Sequence, residues 1–227
     1  MVDANFLLNI CKPVHHMYQF HRNHLVLDSS HGGALSRPYT PTYVTRLFFE
    51  VPIKIYKDGK LSRHIQNWKI GDSVEWRGPY HEDDSLLKSK FSHLLLVAGG
   101  TGLAPFIRIV DELLKDDEVE TRIRLVYCVR SAADILFKDR LVDWARHWNV
   151  TIVICGVGAE AELPYLFERV SARLCESVFQ AELTSFVGAD LNDTVVSVCG
   201  RATLEKDVVN YATRSGVDRL KIIRFPA

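Results

Sequence analysis

Apolar positions come in two patterns along the chain. From Asp3 to about Pro79 the runs are short and separated by turn residues, as in HLVLDSS, FFEVPIKIY and DSVEWRG, which predicts antiparallel strands and part of a small β-barrel. In the second run Val51, Ile53 and Ile55 alternate with Pro52, Lys54 and Tyr56, so one face is expected to pack inward and to leave Lys54 and Tyr56 for solvent or a ligand. A polar stretch, HEDDSLLKSKFS, follows, and the domain boundary is placed within it, giving residues 1–85 and 86–227.

After Ser92 the pattern becomes strand and helix in turn. The unbroken run HLLLVA predicts a strand buried on both faces. The next helix opens near Pro105 and carries Phe106, Ile109, Val110, Leu113 and Leu114 on one face. Further strands are expected at RIRLVYCV, VTIVIC, TVVSVC and RLKIIRF. Helices are expected around Asp134 to Trp148, Leu163 to Leu174 and Ala202 to Ser215, the last stopped by Gly216. The expected fold is α/β plus β: a partial antiparallel Greek-key barrel followed by a doubly wound sheet of about five parallel strands.

Composition narrows the classes. A chain of 227 residues with 47% hydrophobic residues can bury a real core. The 28 Lys plus Arg balance 28 Asp plus Glu, so no net field recommends nucleic acid or an anionic membrane as partner. No apolar run approaches the roughly 20 residues of a membrane-spanning helix, and the start MVDANFLLNICKPVHH does not read as a signal peptide, so a soluble chain is expected. Cys11, Cys128, Cys155, Cys175 and Cys199 are scattered and odd in number, which predicts free thiols in a reducing, intracellular compartment, cytoplasmic or at the cytosolic face of an organelle membrane. His15, His16, His21, His24 and His31 show no recurring ligand spacing, so no metal is expected. Trp144 and Trp148 lie four apart and read as core or interdomain packing.

Two strings carry candidate chemistry. Ala98-Gly99-Gly100-Thr101-Gly102-Leu103-Ala104-Pro105 joins a strand to a helix, where free N–H groups and the helix dipole favour a phosphate; the bland alternative is a tight turn without ligand. Cys199-Gly200 ends a later strand, and if that strand neighbours the first, the two glycine turns face one crevice. The common dinucleotide fingerprint is not matched, and no acidic residue closes the second strand to hold a ribose. Arg130 stands there instead, either near an adenosine or 2′-phosphate or as a solvated surface residue. The second string is Arg37-Pro38-Tyr39-Thr40-Pro41, a guanidinium, an aromatic and a hydroxyl stiffened by prolines; alone, it reads as a proline-bounded strand edge.

Together with Gly59-Lys60-Leu61-Ser62, Gly78-Pro79 and Asp134-Ile135-Leu136, the ordered series resembles the ferredoxin reductase superfamily, and within it most closely the NADH-cytochrome b5 reductases, from about His24 to Phe225. The resemblance implies an FAD-dependent oxidoreductase that moves hydride from NADH, with NADPH not excluded, to the flavin and then electrons to a haem protein such as cytochrome b5. It implies that Arg37 pairs with the FAD pyrophosphate, Pro38 stiffens that strand, Tyr39 stacks on the flavin and Thr40 hydrogen-bonds near its N5. Lys54 and Tyr56 would line the flavin, and Gly59, Lys60, Leu61 and Ser62 would hold its phosphates. Gly100, Thr101, Gly102 and Pro105 would hold the nicotinamide nucleotide, with Cys199 and Gly200 beside its reactive ring and Phe225 covering the flavin. Tyr39, Thr40 and Cys199 would border the reaction itself.

The chain departs from this pattern in places. Fewer residues precede Arg37 than the family's barrel uses, so a shortened flavin domain is expected. Arg201 follows Cys199-Gly200 where the family has proline, Tyr80-His81 follows Gly78-Pro79, and Pro226 and Ala227 follow Phe225. The alternative reading is a catalytically silent nucleotide-binding protein with a degenerate flavin site.

Overall fold

The computed structural model describes residues 5–11, 24–28, 36–45, 48–72, 75–80, 90–116, 120–188 and 191–225. Its first part is antiparallel. Strand β1 (Asn5–Cys11) pairs with β5 (Phe48–Lys54), which also pairs with β4 (Tyr43–Val44). Strand β2 (His24–Asp28) pairs with β3 (Ser36–Tyr39) and β6 (Glu75–Tyr80), with a register shift between His24 and Val26. The expected inward face of β5 holds, since Val51 and Ile53 are buried and with Phe49 join Leu61 and Ile65 of helix α1 (Lys60–Gln66) in one core, but Pro52 on the other face is buried as well. Tyr39 and Trp76 pack against that core, so β3, β5 and β6 are held by shared apolar burial.

The second part is a six-stranded parallel sheet in the order β10-β9-β8-β7-β11-β12. Its strands are β7 (His93–Gly99), β8 (Arg122–Cys128), β9 (Val150–Cys155), β10 (Phe167–Val170), β11 (Thr194–Cys199) and β12 (Ile222–Phe225). Leu94 to Ala98 have no exposed surface, as a strand covered on both faces requires. One face packs on α2 (Ala104–Leu113) and α3 (Lys138–Trp144), the other on α4 (Glu176–Val187) and α5 (Ala202–Arg214).

Three expectations are corrected. The segment Leu163 to Leu174 is not helical; it contains edge strand β10, so the sheet has six strands rather than five. The helix on that side is α4, further along. Of Asp134 to Trp148 only Lys138–Trp144 is α-helical, after a 3-10 turn at Ala132–Asp134; Trp144 is buried and its Nε1 donates to Asp111 Oδ1 at 2.9 Å, whereas Trp148 is exposed and joins no core among the described residues.

Candidate functional site

The strand order reverses between β7 and β11. The chain builds outward from β7 to β10, then returns to β7's other side with β11. Register pairs Ala98 with Cys199, so the glycine turns that leave these strands emerge together. They touch backbone to backbone: a Cβ on Gly102 would lie 2.3 Å from the Cys199 carbonyl oxygen, and one on Gly200 would lie 3.3 Å from the Gly99 Cα. Gly100 differs, since its φ of +58° needs glycine while nothing stands within 4 Å of a Cβ there. Gly102 is therefore required for packing between the turns, and Gly100 is the position where the main chain is open to a ligand.

The turn is fixed from below. The Tyr127 hydroxyl, on a fully buried side chain of β8, donates to the Gly100 carbonyl at 3.0 Å and accepts from the Leu136 N–H at 3.4 Å. Burial, first among its causes, pushes the phenol's ionisation well above the ordinary tyrosine range, so it stays a donor. Beyond the turn, Pro105 occupies the first turn of α2, where no N–H is needed.

These turns open onto a cleft of about 1100 Å³ whose other wall belongs to the antiparallel part. Arg37, Pro38, Tyr39 and Thr40 border it from β3 and the residue after it, and Lys54 and Tyr56 from β5 and its exit. Gly59, Lys60, Leu61 and Ser62 border it from the start of α1. Gly100, Thr101, Gly102, Pro105, Cys199 and Gly200 complete it from the sheet. Every site residue expected from the sequence thus borders one cleft except Phe225. Phe225 is buried at the end of β12, with its ring edge-on to Phe106 at 5.7 Å, and does not line the cleft. Its apolar ring is satisfied inside the core, so it is removed from the set that could cover a flavin.

Local contacts set the wall opposite the sheet. Tyr39 meets Trp76 edge to face at 6.0 Å, and Trp76 meets Phe49 likewise at 5.4 Å, which locks the tyrosine's ring plane. Burial raises the Tyr39 phenol to about 12, with Arg37 opposing and Tyr56 adding to the shift. The buried Ser62 hydroxyl accepts from the Tyr56 N–H at 3.1 Å and lies 3.2 Å from the Gly59 carbonyl oxygen, so it shapes the loop ahead of α1. Lys54 and Asp134 approach to 3.9 Å across the cleft, joining β5 to the loop after β8.

Sequence reasoning did not single out Cys128, Cys155, Gly156, Arg173 or Thr203, which also border the cleft. Arg130 and Arg201 do as well. Arg201 has φ −62° and ψ 147°, a conformation proline itself adopts, so replacing the family's proline leaves the expected backbone in place. The glycine-lined turn, the cations Arg37, Lys60, Arg130, Arg173 and Arg201, and the cleft's volume suit ligands that are long, flat in part and phosphorylated. His24 opens β2, while His15, His16, His21, His31 and His81 lie outside the described residues. Among the described residues no helix is long and apolar enough to cross a membrane.

Comparison with known proteins agrees with this geometry. The family described as "Oxidoreductase FAD-binding domain" matches residues 4–82, and that described as "Oxidoreductase NAD-binding domain" matches residues 96–210. The human protein named "NADH-cytochrome b5 reductase-like" is 32% identical over 198 residues, covering 81% of this chain and 58% of its own length. The mouse protein of the same name is 36% identical over 203 residues, covering 86% and 62%. The chain thus spans about three fifths of these relatives. The cytochrome b5 reductase domain of Ulva prolifera nitrate reductase superimposes with a TM-score of 0.76 at 21% identity, over 99% of this chain and 93% of that one, so the two share a fold.

Proposed function

Because the chain belongs to the ferredoxin reductase family, with an FAD-binding domain ahead of an NAD-binding domain, we propose that it oxidises NADH through FAD and passes electrons to a haem protein of the cytochrome b5 kind. One observation carries the reading: the RPYT string and both glycine turns border the same cleft from opposite walls. Division of labour follows the two parts of the chain, residues 1–85 for the flavin and 86–227 for the nucleotide.

The bound flavin would supply the chemistry that accepts a hydride from nicotinamide and releases electrons singly to a one-electron acceptor. The chain's own residues bind and orient. Arg37 offers a planar fork to the flavin pyrophosphate, Tyr39 a flat face held in place by Trp76, and Thr40 a small hydroxyl beside the ring. Lys54 and Tyr56 flank that platform, and the first-turn N–H groups of Lys60, Leu61 and Ser62, with the Lys60 ammonium, suit its phosphates. Gly100 leaves the main chain open to the nucleotide, Thr101 and Pro105 frame it, and Cys199 and Gly200 close against Gly102 beside the reacting ring. None of these groups needs to exchange a proton; they supply proximity and orientation.

A degenerate flavin site draws no support from this arrangement, since every RPYT residue from Arg37 to Thr40 reaches the cleft. The name of the human and mouse relatives favours NADH and a cytochrome b5-type acceptor. The test is to purify the chain, measure flavin released on denaturation, and follow NADH-dependent reduction of a dye and of cytochrome b5. One flavin per chain and both activities are expected. A colourless protein that takes up no FAD would overturn the proposal, and dye reduction without cytochrome reduction would overturn the acceptor.

A further inference from the structure

Two thiols that this chemistry does not use lie side by side in the cleft. Cys128 ends β8 and Cys155 ends β9, and they are register partners. Neighbouring strands stand about 4.8 Å apart, inside the Cα separation of about 4.4–6.8 Å that a disulfide spans. Both side chains fall on the sheet face that packs on α4 and α5, and both border the cleft. The two thiols are lateral neighbours on that face, and the Cys155 Sγ donates to the Ala172 carbonyl at 3.2 Å. The neighbouring Cys128 thiol holds the pKa of Cys155 below the ordinary thiol value, while Cys155 and burial push that of Cys128 up, so a thiolate forms more readily on Cys155.

We propose that Cys128 and Cys155 form a reversible disulfide by exchange with a small-molecule disulfide, and that the oxidised protein binds the nicotinamide nucleotide more weakly. The Cys155 thiolate attacks one sulfur of the reagent RSSR; a Cys155–SR bond forms as the S–S bond breaks and one RS⁻ leaves. Cys128 then gives up its proton and attacks the Cys155 sulfur, expelling the second RS⁻. Two electrons pass to the reagent, and the protons lost by the cysteines end on two RSH. The change in affinity follows from what adjoins the thiols. Val129 N–H donates to the Cys155 carbonyl at 3.0 Å, and a Cβ on Gly156 would lie 2.8 Å from the Val129 carbonyl oxygen, so the two strand ends are packed without slack. Closing the sulfurs to bonding distance displaces the turns that carry Arg130 and Gly156 into the cleft. This step rests on the reading of that cleft as the nucleotide's.

The test uses the full chain, reduced and then treated with hydroxyethyl disulfide. The expected product has lost two hydrogen masses, and digestion links the peptides of Cys128 and Cys155. Calorimetry with NAD⁺ is expected to show affinity about tenfold weaker, as one good polar contact is worth, and full recovery with dithiothreitol. Prior saturation with NAD⁺ should slow the reaction, and Cys155→Ser, which removes the attacking thiolate, should abolish the oxidant's effect on affinity whatever its starting value. Reagent adducts alone, or a link to a different cysteine, would overturn the disulfide. A Cys128–Cys155 link that leaves NAD⁺ affinity unchanged would overturn the switch while sparing the cleft assignment; reduced protein that binds no NAD⁺ would overturn both.

Discussion

The Tyr127 hydroxyl donates to the carbonyl of Gly100 at 3.0 Å, so a buried phenol in the second strand of the sheet holds the turn that leaves the first. Replacing it with phenylalanine keeps the ring's packing but leaves the Gly100 carbonyl and the Leu136 N–H short of a partner. Tyr127→Phe is expected to lower stability by about 1–3 kcal/mol. Urea unfolding measures that loss. Because the turn is loosened rather than deleted, the KM for NADH should rise more than kcat falls; an unchanged KM would show that the hydrogen bond does not set the turn.

Gly100 and Gly102 should fail for different reasons. Gly102→Ala drives a methyl into the Cys199 carbonyl, 2.3 Å from where it would sit, and rigid backbone cannot yield cheaply. Overpacking of this kind costs about 1–3 kcal/mol and should also part the two turns. Gly100→Ala meets no atom but must hold φ near +58°, a cost of about 1–2 kcal/mol, which Gly100→Asn should reduce because asparagine tolerates that region. Thermal unfolding of the three variants checks the ordering; rescue of Gly102 by asparagine would contradict it.

Tyr39 gives an alkaline signature. Its folded pKa of about 12 exceeds the unfolded value of 10, so the folded chain keeps a proton that the unfolded chain has released. The resulting stability is fully present below pH 10 and is lost as pH rises toward 12. Tyr39→Phe should flatten the fall in stability over that window, as denaturant melts at stepped pH would show. Tyr39→Ala should in addition weaken flavin retention by about 1 kcal/mol, the worth of a stacking face, and unchanged FAD affinity would refute that role.

Arg201 can be exchanged for the residue its backbone already imitates. With φ −62° and ψ 147°, Arg201→Pro should stabilise the chain by about 0.4–1 kcal/mol through the unfolded state. The guanidinium is lost from the cleft, so nucleotide affinity should fall even as the melting temperature rises. Paired melting and NADH titration test this, and a fall in both would show that Arg201 serves the fold.

Much of this was legible because it is local. Four of the six parallel strands, β7, β8, β9 and β11, are mainly apolar runs long enough to be buried on both faces, edge strand β12 still stands out as the apolar end of RLKIIRF, and the glycine turns and RPYT string are contiguous. Strand β10 was hidden because Leu163, Leu166, Phe167, Val170 and Leu174 repeat at helical spacing, while the segment is fixed from outside. Its backbone pairs with β9, and the Arg169 guanidinium donates to the carbonyls of Gly158, Ala159 and Ala161. Cys128 and Cys155, read only as free thiols, and Arg173 were not assigned to the site for a related reason. Each sits at or just past a strand's carboxyl end, and only the lateral order of β8, β9 and β10 brings them to one rim. Phe225 erred in the opposite sense: position in the chain suggested a lid, whereas an apolar ring beside Phe106 is better satisfied inside.

The reversal of strand order also sets a timetable. Gly100 and Gly200 stand a hundred positions apart, yet each turn completes the other. A ribosome that has delivered β7 through β10 has made a sheet whose β7 edge is still bare and half a binding crevice, and nothing can be gripped until β11 docks beside β7. Nucleotide affinity is therefore acquired late and all at once, and any nascent or clipped chain lacking its last strands should be blind to the ligand however well its earlier strands have formed.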